Sequence, residues 1–241
     1  MSLSGKHVLI TGSARRVGRI LALSVAQAGG IVFIHHAHSP EDAENVRQEI
    51  IDLGGQAYIL QADLLDPSMA QKLIDQASTY GPLYALVNNA AIFEPLSWET
   101  TDLESWNRHL ALNLSAPFLL SQAFARSHTE LTVGRIVNIL DWRALRPGPD
   151  HFPYTISKAA LVALTRSLAI ALSPQITVNG IALGAILPPT HPVDLRKVIQ
   201  HVPAGRWADP EEVGDALIFL LEGPSYITGE IIHLDGGRHL V

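Results

Sequence analysis

Hydrophobic positions along the chain alternate between two spacings from one end to the other. Short apolar runs predict strands at His7–Thr11, Ile31–His35, Gln56–Gln61, Ala85–Asn88, Arg135–Leu140, Thr177–Ala182 and Glu230–Leu234. Between them, stretches with apolar residues every three or four positions predict helices at about Val17–Ala28, Pro40–Leu53, Pro67–Thr79, Leu103–Ser127, Pro153–Leu172 and Pro210–Leu221. Such strand–helix alternation predicts an α/β fold, a doubly wound, Rossmann-like parallel sheet of about seven strands with helices on both faces. No repeat, linker or low-complexity tract interrupts the pattern, so residues 1–241 are expected to form a single domain. The loosely patterned, proline-bearing stretch Gly184–Ala208 is expected to be a substrate loop.

Composition narrows the function classes. A chain of 241 residues with 47% hydrophobic content buries one large core. Its net charge of −6, without a block of like charge, gives no electrostatic footprint for nucleic acid. The absence of cysteine excludes disulfides and thiol chemistry. The opening MSLSGKHVLITG has too short an apolar run for a secretory signal, and Ala159–Leu172, broken by Thr165, Arg166 and Ser167, is too short to span a bilayer. A soluble, cytoplasmic protein acting on a small molecule, with no nucleic-acid or membrane partner, is the expectation.

The chemistry concentrates between Asp141 and Lys158, which read DWRALRPGPDHFPYTISK. Tyr154 and Lys158 stand four residues apart at the start of a helix, so an ammonium and a phenol leave from one face. A free tyrosine has a pKa of about 10, and mobilising its proton near neutrality takes roughly 4 kcal/mol, part of which a nearby fixed cation supplies. The pair therefore reads as a general acid/base, against the plainer alternative of a tyrosine capping the core beside a snorkelling lysine.

Further signals lie at the predicted strand ends. The first β–α turn is TGSARRVG, in which Gly12 permits a sharp turn and Gly18 permits close packing of the next helix, leaving N–H groups free for a pyrophosphate. Arg15 and Arg16 add cations there. The second strand ends in IHHAHS, with no carboxylate before Glu41 to hold ribose hydroxyls. His36, His38 and Ser39 with the two arginines suit a 2′-phosphate, so NADPH is expected over NADH, and no metal shell completes itself around HHAH. Asp63 and Leu64 follow the third strand where adenine would lie, and Asn88–Asn89–Ala90 follows the fourth, either tying loops together or lining the cofactor crevice. Phe93 is core or a stacking platform for a flat heterocycle, and Asn113, inside an apolar helix, is a hydrogen-bond fixture or a relay member.

Together Thr11–Gly18, Asn88–Ala90, Asn113, the Tyr154/Lys158 pair and Leu234–Gly237 resemble the short-chain dehydrogenase/reductase family over essentially the whole chain. The resemblance implies that Tyr154 donates the proton, that Lys158 lowers its pKa and holds the nicotinamide ribose, and that Asn113 positions a water in the relay. Cofactor contacts are then expected from Gly12, Arg15, Arg16, Val17, His36, His38, Ser39, Asp63, Leu64, Asn89, Ala90, Tyr154, Lys158, Gly184 and Ile186. Four departures stand out. Arg16 takes the place of a usual glycine, Asp141 that of the usual serine thirteen residues before the tyrosine, NNAA that of NNAG, and Leu183-Gly184 that of Pro-Gly. An ionised aspartate cannot donate to a substrate carbonyl as serine does.

Arg16, Asp141 and Phe93 are similar to the pteridine reductase branch of the family, and the closing LDGGRHL resembles bacterial dihydromonapterin reductases. The resemblance implies a substrate site of Arg16, Phe93, Asp141 and Tyr154, with the pterin sandwiched between Phe93 and nicotinamide. The expected function is NADPH-dependent reduction of dihydropterins, alternatively of carbonyls such as 3-oxoacyl thioesters with Asp141 protonated; a non-catalytic NADP sensor is the third reading. A homotetramer is expected, with Arg238 and His239 reaching a neighbouring subunit's pocket.

Overall fold

The computed structural model describes residues 3–128, 133–188 and 194–241. Seven strands form one parallel sheet in the order β3-β2-β1-β4-β5-β6-β7. They are β1 (His7–Ile10), β2 (Ile31–His36), β3 (Gln56–Gln61), β4 (Leu83–Asn88), β5 (Gly134–Asp141), β6 (Ile176–Leu183) and β7 (Ile231–Leu234). The strand order reverses between β1 and β4, so the loops leaving these strands diverge and open a crevice at their carboxyl ends.

Helices cover both faces because the strands are apolar on both. Val8 and Ile10 of β1 point to one side, where they pack with α1 (Arg16–Gln27), α2 (Pro40–Asp52) and α8 (Pro210–Glu222). Leu9 points to the other, toward α3 (Ser68–Ser78), α5 (Ala116–Arg126) and α6 (Phe152–Ala171). The expected helix Leu103–Ser127 is continuous but not uniform. α4 (Leu103–Leu110), capped by the Asp102 carboxylate accepting from Ser105 N at 2.7 Å, passes through a π-helical turn at Ala111–Ser115 before α5 begins. The expected loop Gly184–Ala208 contains one short helix, α7 (Leu195–Ile199), while residues 189–193 lie outside the described residues.

Beneath the carboxyl edge, the register of β4 against β5 sets Asn88 beside Asn138. Asn88 Nδ2 donates to Asn138 Oδ1 at 2.8 Å, and Asn138 Nδ2 donates to Thr165 Oγ1 at 2.8 Å. This buried chain ties β4, β5 and α6 together under the site. Asn138→Ala leaves Asn88 Nδ2 with only its longer bond to Ser121 Oγ at 3.4 Å and removes the donor to Thr165, with an expected loss of about 2 kcal/mol in urea unfolding. A loss under about 0.5 kcal/mol would show that the chain carries no weight.

Candidate active site

The first β–α turn is held by side chains from the next strands over. Thr11 Oγ1 accepts from the backbone N–H groups of Asn89 and Ala90 at 2.9 and 3.0 Å, and Asn89 Nδ2 donates to the Thr11 and Gly12 carbonyls. Gly12 has φ +62°, and a Cβ on Gly18 would lie 2.2 Å from the Gly12 carbonyl oxygen. Gly18 is therefore required by the turn itself and not by packing on the sheet. His35 completes the clamp. Its Nδ1 accepts from Gly12 N at 3.0 Å and its Nε2 donates to Ala62 O at 3.0 Å, joining the ends of β1, β2 and β3. Burial pulls this imidazole down to about 4, against the raising effect of the Ala62 carbonyl, so it is neutral and its tautomer is set by its two partners.

A cavity of about 840 Å³ extends from this turn along the carboxyl edge of the sheet. At one end lie Arg15, Ala37, His38, Asp63 and Leu64; at the other lie Phe93, Asp141, Trp142, Tyr154 and Arg238. Asp141, the last residue of β5, and Tyr154, in the first turn of α6, meet there: the phenol donates to Asp141 Oδ2 at 3.2 Å. The other carboxylate oxygen accepts from Arg143 N at 2.8 Å, with Arg143 Nη1 3.5 Å away. Burial and then the Asp141 charge push the Tyr154 phenol well above its usual range. Lys158 is buried beneath the tyrosine ring, its Nζ 5.8 Å from the centroid, and donates to Ile139 O at 2.6 Å. Burial pulls its ammonium down to about 8 although Asp141 opposes the shift. Burial first, and then Asp141, hold the phenol up; Lys158, whose ammonium is directed at the Ile139 carbonyl, is not among the groups that shift it.

A family model described as enoyl-(acyl carrier protein) reductase matches residues 12–239. The chain is also 32% identical to a short-chain type dehydrogenase/reductase from Picea abies, across 98% of this chain and 93% of that one. This protein belongs to the short-chain dehydrogenase/reductase family. It is therefore an oxidoreductase. Another relative is a 3-oxoacyl-[acyl-carrier-protein] reductase from Synechocystis, 32% identical over 98% of both chains. Among solved structures, FolM alternative dihydrofolate reductase 1 from Brucella canis, complexed with NADP, superposes with a TM-score of 0.93 at 38% identity, covering 99% of this chain and 96% of that one.

Against that family, the position of Arg16 gains a physical meaning. Its φ is +51°, a left-handed conformation that favours glycine and costs a side-chain-bearing residue about 1 kcal/mol. The side chain reaches across the crevice, where Nη2 donates to Pro188 O at 2.9 Å. Gly184 is likewise steric: a Cβ there would lie 2.6 Å from Asp235 Cα, in the closing LDGG.

The cavity brings together most of the residues expected from sequence. Gly12, Arg15, Arg16, Val17, Asn89 and Ala90 line the turn; His38, Asp63 and Leu64 line one end; Gly184 and Ile186 line the wall after β6. Phe93 stands half exposed at the other end, with Asp141, Tyr154 and Lys158. His36, Ser39 and Asn113 do not line it. His36 follows His35 on a strand, so it faces the opposite way, where its Nδ1 accepts from Ser39 N at 3.3 Å. Asn113 is buried in the π-helical turn, with its amide spent on Ile92 N, Ile92 O and Ser157 Oγ at 2.8 to 3.0 Å. Of the two roles open from sequence, its side chain fills the fixture. Arg238 lines its own chain's cavity. Sequence reasoning missed His35, Trp142, Arg143 and His151 and assigned Arg238 to a neighbouring subunit's pocket; only the pairing of two histidines at the end of β2 hinted at the first.

His35 generates a pH prediction. Its folded pKa of about 4 lies below the free value of 6.5, so its contribution is complete above pH 6.5 and is lost as pH falls toward 4, on the order of 3 kcal/mol in all. His35→Gln is expected to flatten the decline in urea stability between those limits relative to wild type. Parallel declines in the two proteins would refute the neutral clamp.

Proposed function

We propose that the protein is an NADPH-dependent reductase of dihydropterins, producing the tetrahydro forms. The observation that carries the reading is the Tyr154 phenol donating to the Asp141 carboxylate, where a serine hydroxyl would otherwise stand. The residues fit the cofactor: the turn needs Gly12 and Gly18 on steric grounds, and Arg15 and His38 stand at one end of the cavity with no carboxylate closing β2. Arg15 and His38 would hold a 2′-phosphate, pre-positioned by Asp42, 2.5 Å from Arg15, and by Asp63, 3.6 Å from His38. Asn89 and Ala90 would flank the cofactor, and Lys158 would hold its nicotinamide ribose. NADPH supplies a hydride when bound.

The chain's own groups handle the proton. Because the phenol is held above its usual pKa, Tyr154 keeps its proton and acts as a donor, not as a base. Asp141 Oδ1 is committed to Arg143 N, which leaves Oδ2 to accept from Tyr154 and orient its phenol. A carboxylate so placed repels the lone pairs of a ketone oxygen but accepts N–H groups from a heterocycle. Reduction of a C=N bond places hydride on carbon and a proton on the adjacent ring nitrogen, and the Tyr154–Asp141 pair supplies that proton. Phe93 supports the reading as a half-exposed aromatic ring at this end of the cavity, with its edge relation to Tyr154 at 4.7 Å.

The second reading, reduction of 3-oxoacyl thioesters, is favoured by the Synechocystis relative. We further infer a cytoplasmic homotetramer, supported by the exposed apolar side chains Leu103, Phe118, Ile156 and Ile170 on α4, α5 and α6. NADPH oxidation with dihydrobiopterin, dihydromonapterin, dihydrofolate and an acetoacetyl thioester separates the two activities. Dihydropterin turnover is expected to exceed that of the thioester, and to fall by about a hundredfold or more in Tyr154→Phe and Asp141→Ala. Full activity in both variants, or reduction of the thioester alone, would overturn the proposal.

A further inference from the structure

Beyond Asp141 the cavity is closed by the chain's own last turn. Asp235 is buried, and its carboxylate accepts from Gly237 N at 3.0 Å, His239 N at 2.9 Å and His239 Nδ1 at 2.8 Å. Gly236 and Gly237 take left-handed conformations, φ +62° and +83°, so the chain folds back into a 3₁₀ turn at Arg238–Leu240. His239 stacks on His233 at 3.9 Å, and Arg146 Nη1 donates to Arg238 O at 3.3 Å. This fixed backbone delivers the Arg238 side chain to the cavity, with its guanidinium 4.4 Å from the centre of the Trp142 ring.

Two guanidiniums share that indole, and their surroundings differ. Arg143, 4.9 Å from the ring centre, also pairs with Asp150 at 2.8 Å and lies 3.5 Å from Asp141. Its charge is matched. Arg238 forms no ion pair among the described residues; Asp141, Asp150 and Asp235 act on it only at longer range, and burial and Arg143 together pull its pKa below the usual value. A partly buried cation seated on an aromatic face, beside a reacting centre and with no ion-pair partner among the described residues, is a binding site for an anion.

We propose that Arg238, seated on Trp142, is an anion subsite that reads a carboxylate on the tail of the substrate. The proposal rests on the dihydropterin reading and extends it. Trp142 directly follows Asp141, so a ring reacting at the Tyr154–Asp141 pair directs its substituent toward Arg238. The substrate class is then a dihydropterin with a carboxylate-bearing tail, in preference to one with an uncharged polyol side chain.

The test compares dihydrofolate, which carries the charge, with dihydrobiopterin, which does not. In Arg238→Gln the KM for dihydrofolate is expected to rise about tenfold with little change in kcat, while dihydrobiopterin kinetics stay within about twofold; Arg238→Lys should lie between. The dihydrobiopterin rate serves as the folding control. In the unaltered enzyme, added salt should raise the KM for dihydrofolate and spare dihydrobiopterin. Equal effects on both substrates, or none on either, would overturn the subsite while leaving the dihydropterin activity in place. If the unaltered enzyme turns over neither substrate, the proposed function fails and the subsite fails with it.

Discussion

One hydrogen bond, from the phenol of Tyr154 to the carboxylate of Asp141, sets the character of the site. It exists because two elements with separate origins end at the same place. β5 carries Asp141 out at its carboxyl edge, in register with Leu183 of β6, and α6 begins beside it from the left-handed His151. Burial of Tyr154 and Lys158 under this edge removes the water that would otherwise solvate phenol and ammonium, and each responds by favouring its neutral form. The phenol is consequently a proton donor at rest. A serine at the end of β5 would leave that donor uncharged company; an aspartate gives it a charged acceptor.

The charge pattern around the pair follows from the same placement. Arg143 bridges Asp141 and Asp150, so the carboxylate beside the phenol is itself held in position. Phe93 has one ring face against His151 at 3.9 Å and its edge toward Tyr154, which leaves a half-exposed aromatic surface next to the proton donor. At the opposite end of the cavity the clamp is neutral: His35 and Thr11 fix the glycine turn with hydrogen bonds that bring no net charge near the pyrophosphate position. The uncharged clamp at one end is built on strand termini, and the Tyr154–Asp141 pair at the other on the end of β5 and the first turn of α6.

The sheet and its helices were legible because buried parallel strands read as short apolar runs and their covering helices as longer periodic ones. The turn, Tyr154 and Lys158 were legible because local spacing places them, and Asp141 because it stands where the family it resembles has a serine. What escaped the sequence was mostly tertiary or one residue out of phase. His35 and His36 are chemically alike, and only the side of the strand decides that His35 clamps the turn while His36 faces away from the cavity. The π-helical turn at Ala111–Ser115 inserts a wider turn into an otherwise regular apolar pattern, and that turn directs Asn113 to Ile92. Arg238 and Trp142 lie far apart in the chain and meet only because Asp235 and two left-handed glycines fold the terminus back.

The most direct test restores the serine. If Asp141 is what commits this scaffold to reducing a C=N bond, Asp141→Ser should lower kcat/KM for dihydrobiopterin by about a hundredfold and raise the rate on an acetoacetyl thioester in the same preparation. Unchanged dihydropterin reduction in Asp141→Ser would contradict the account, since the proton would then need only Tyr154.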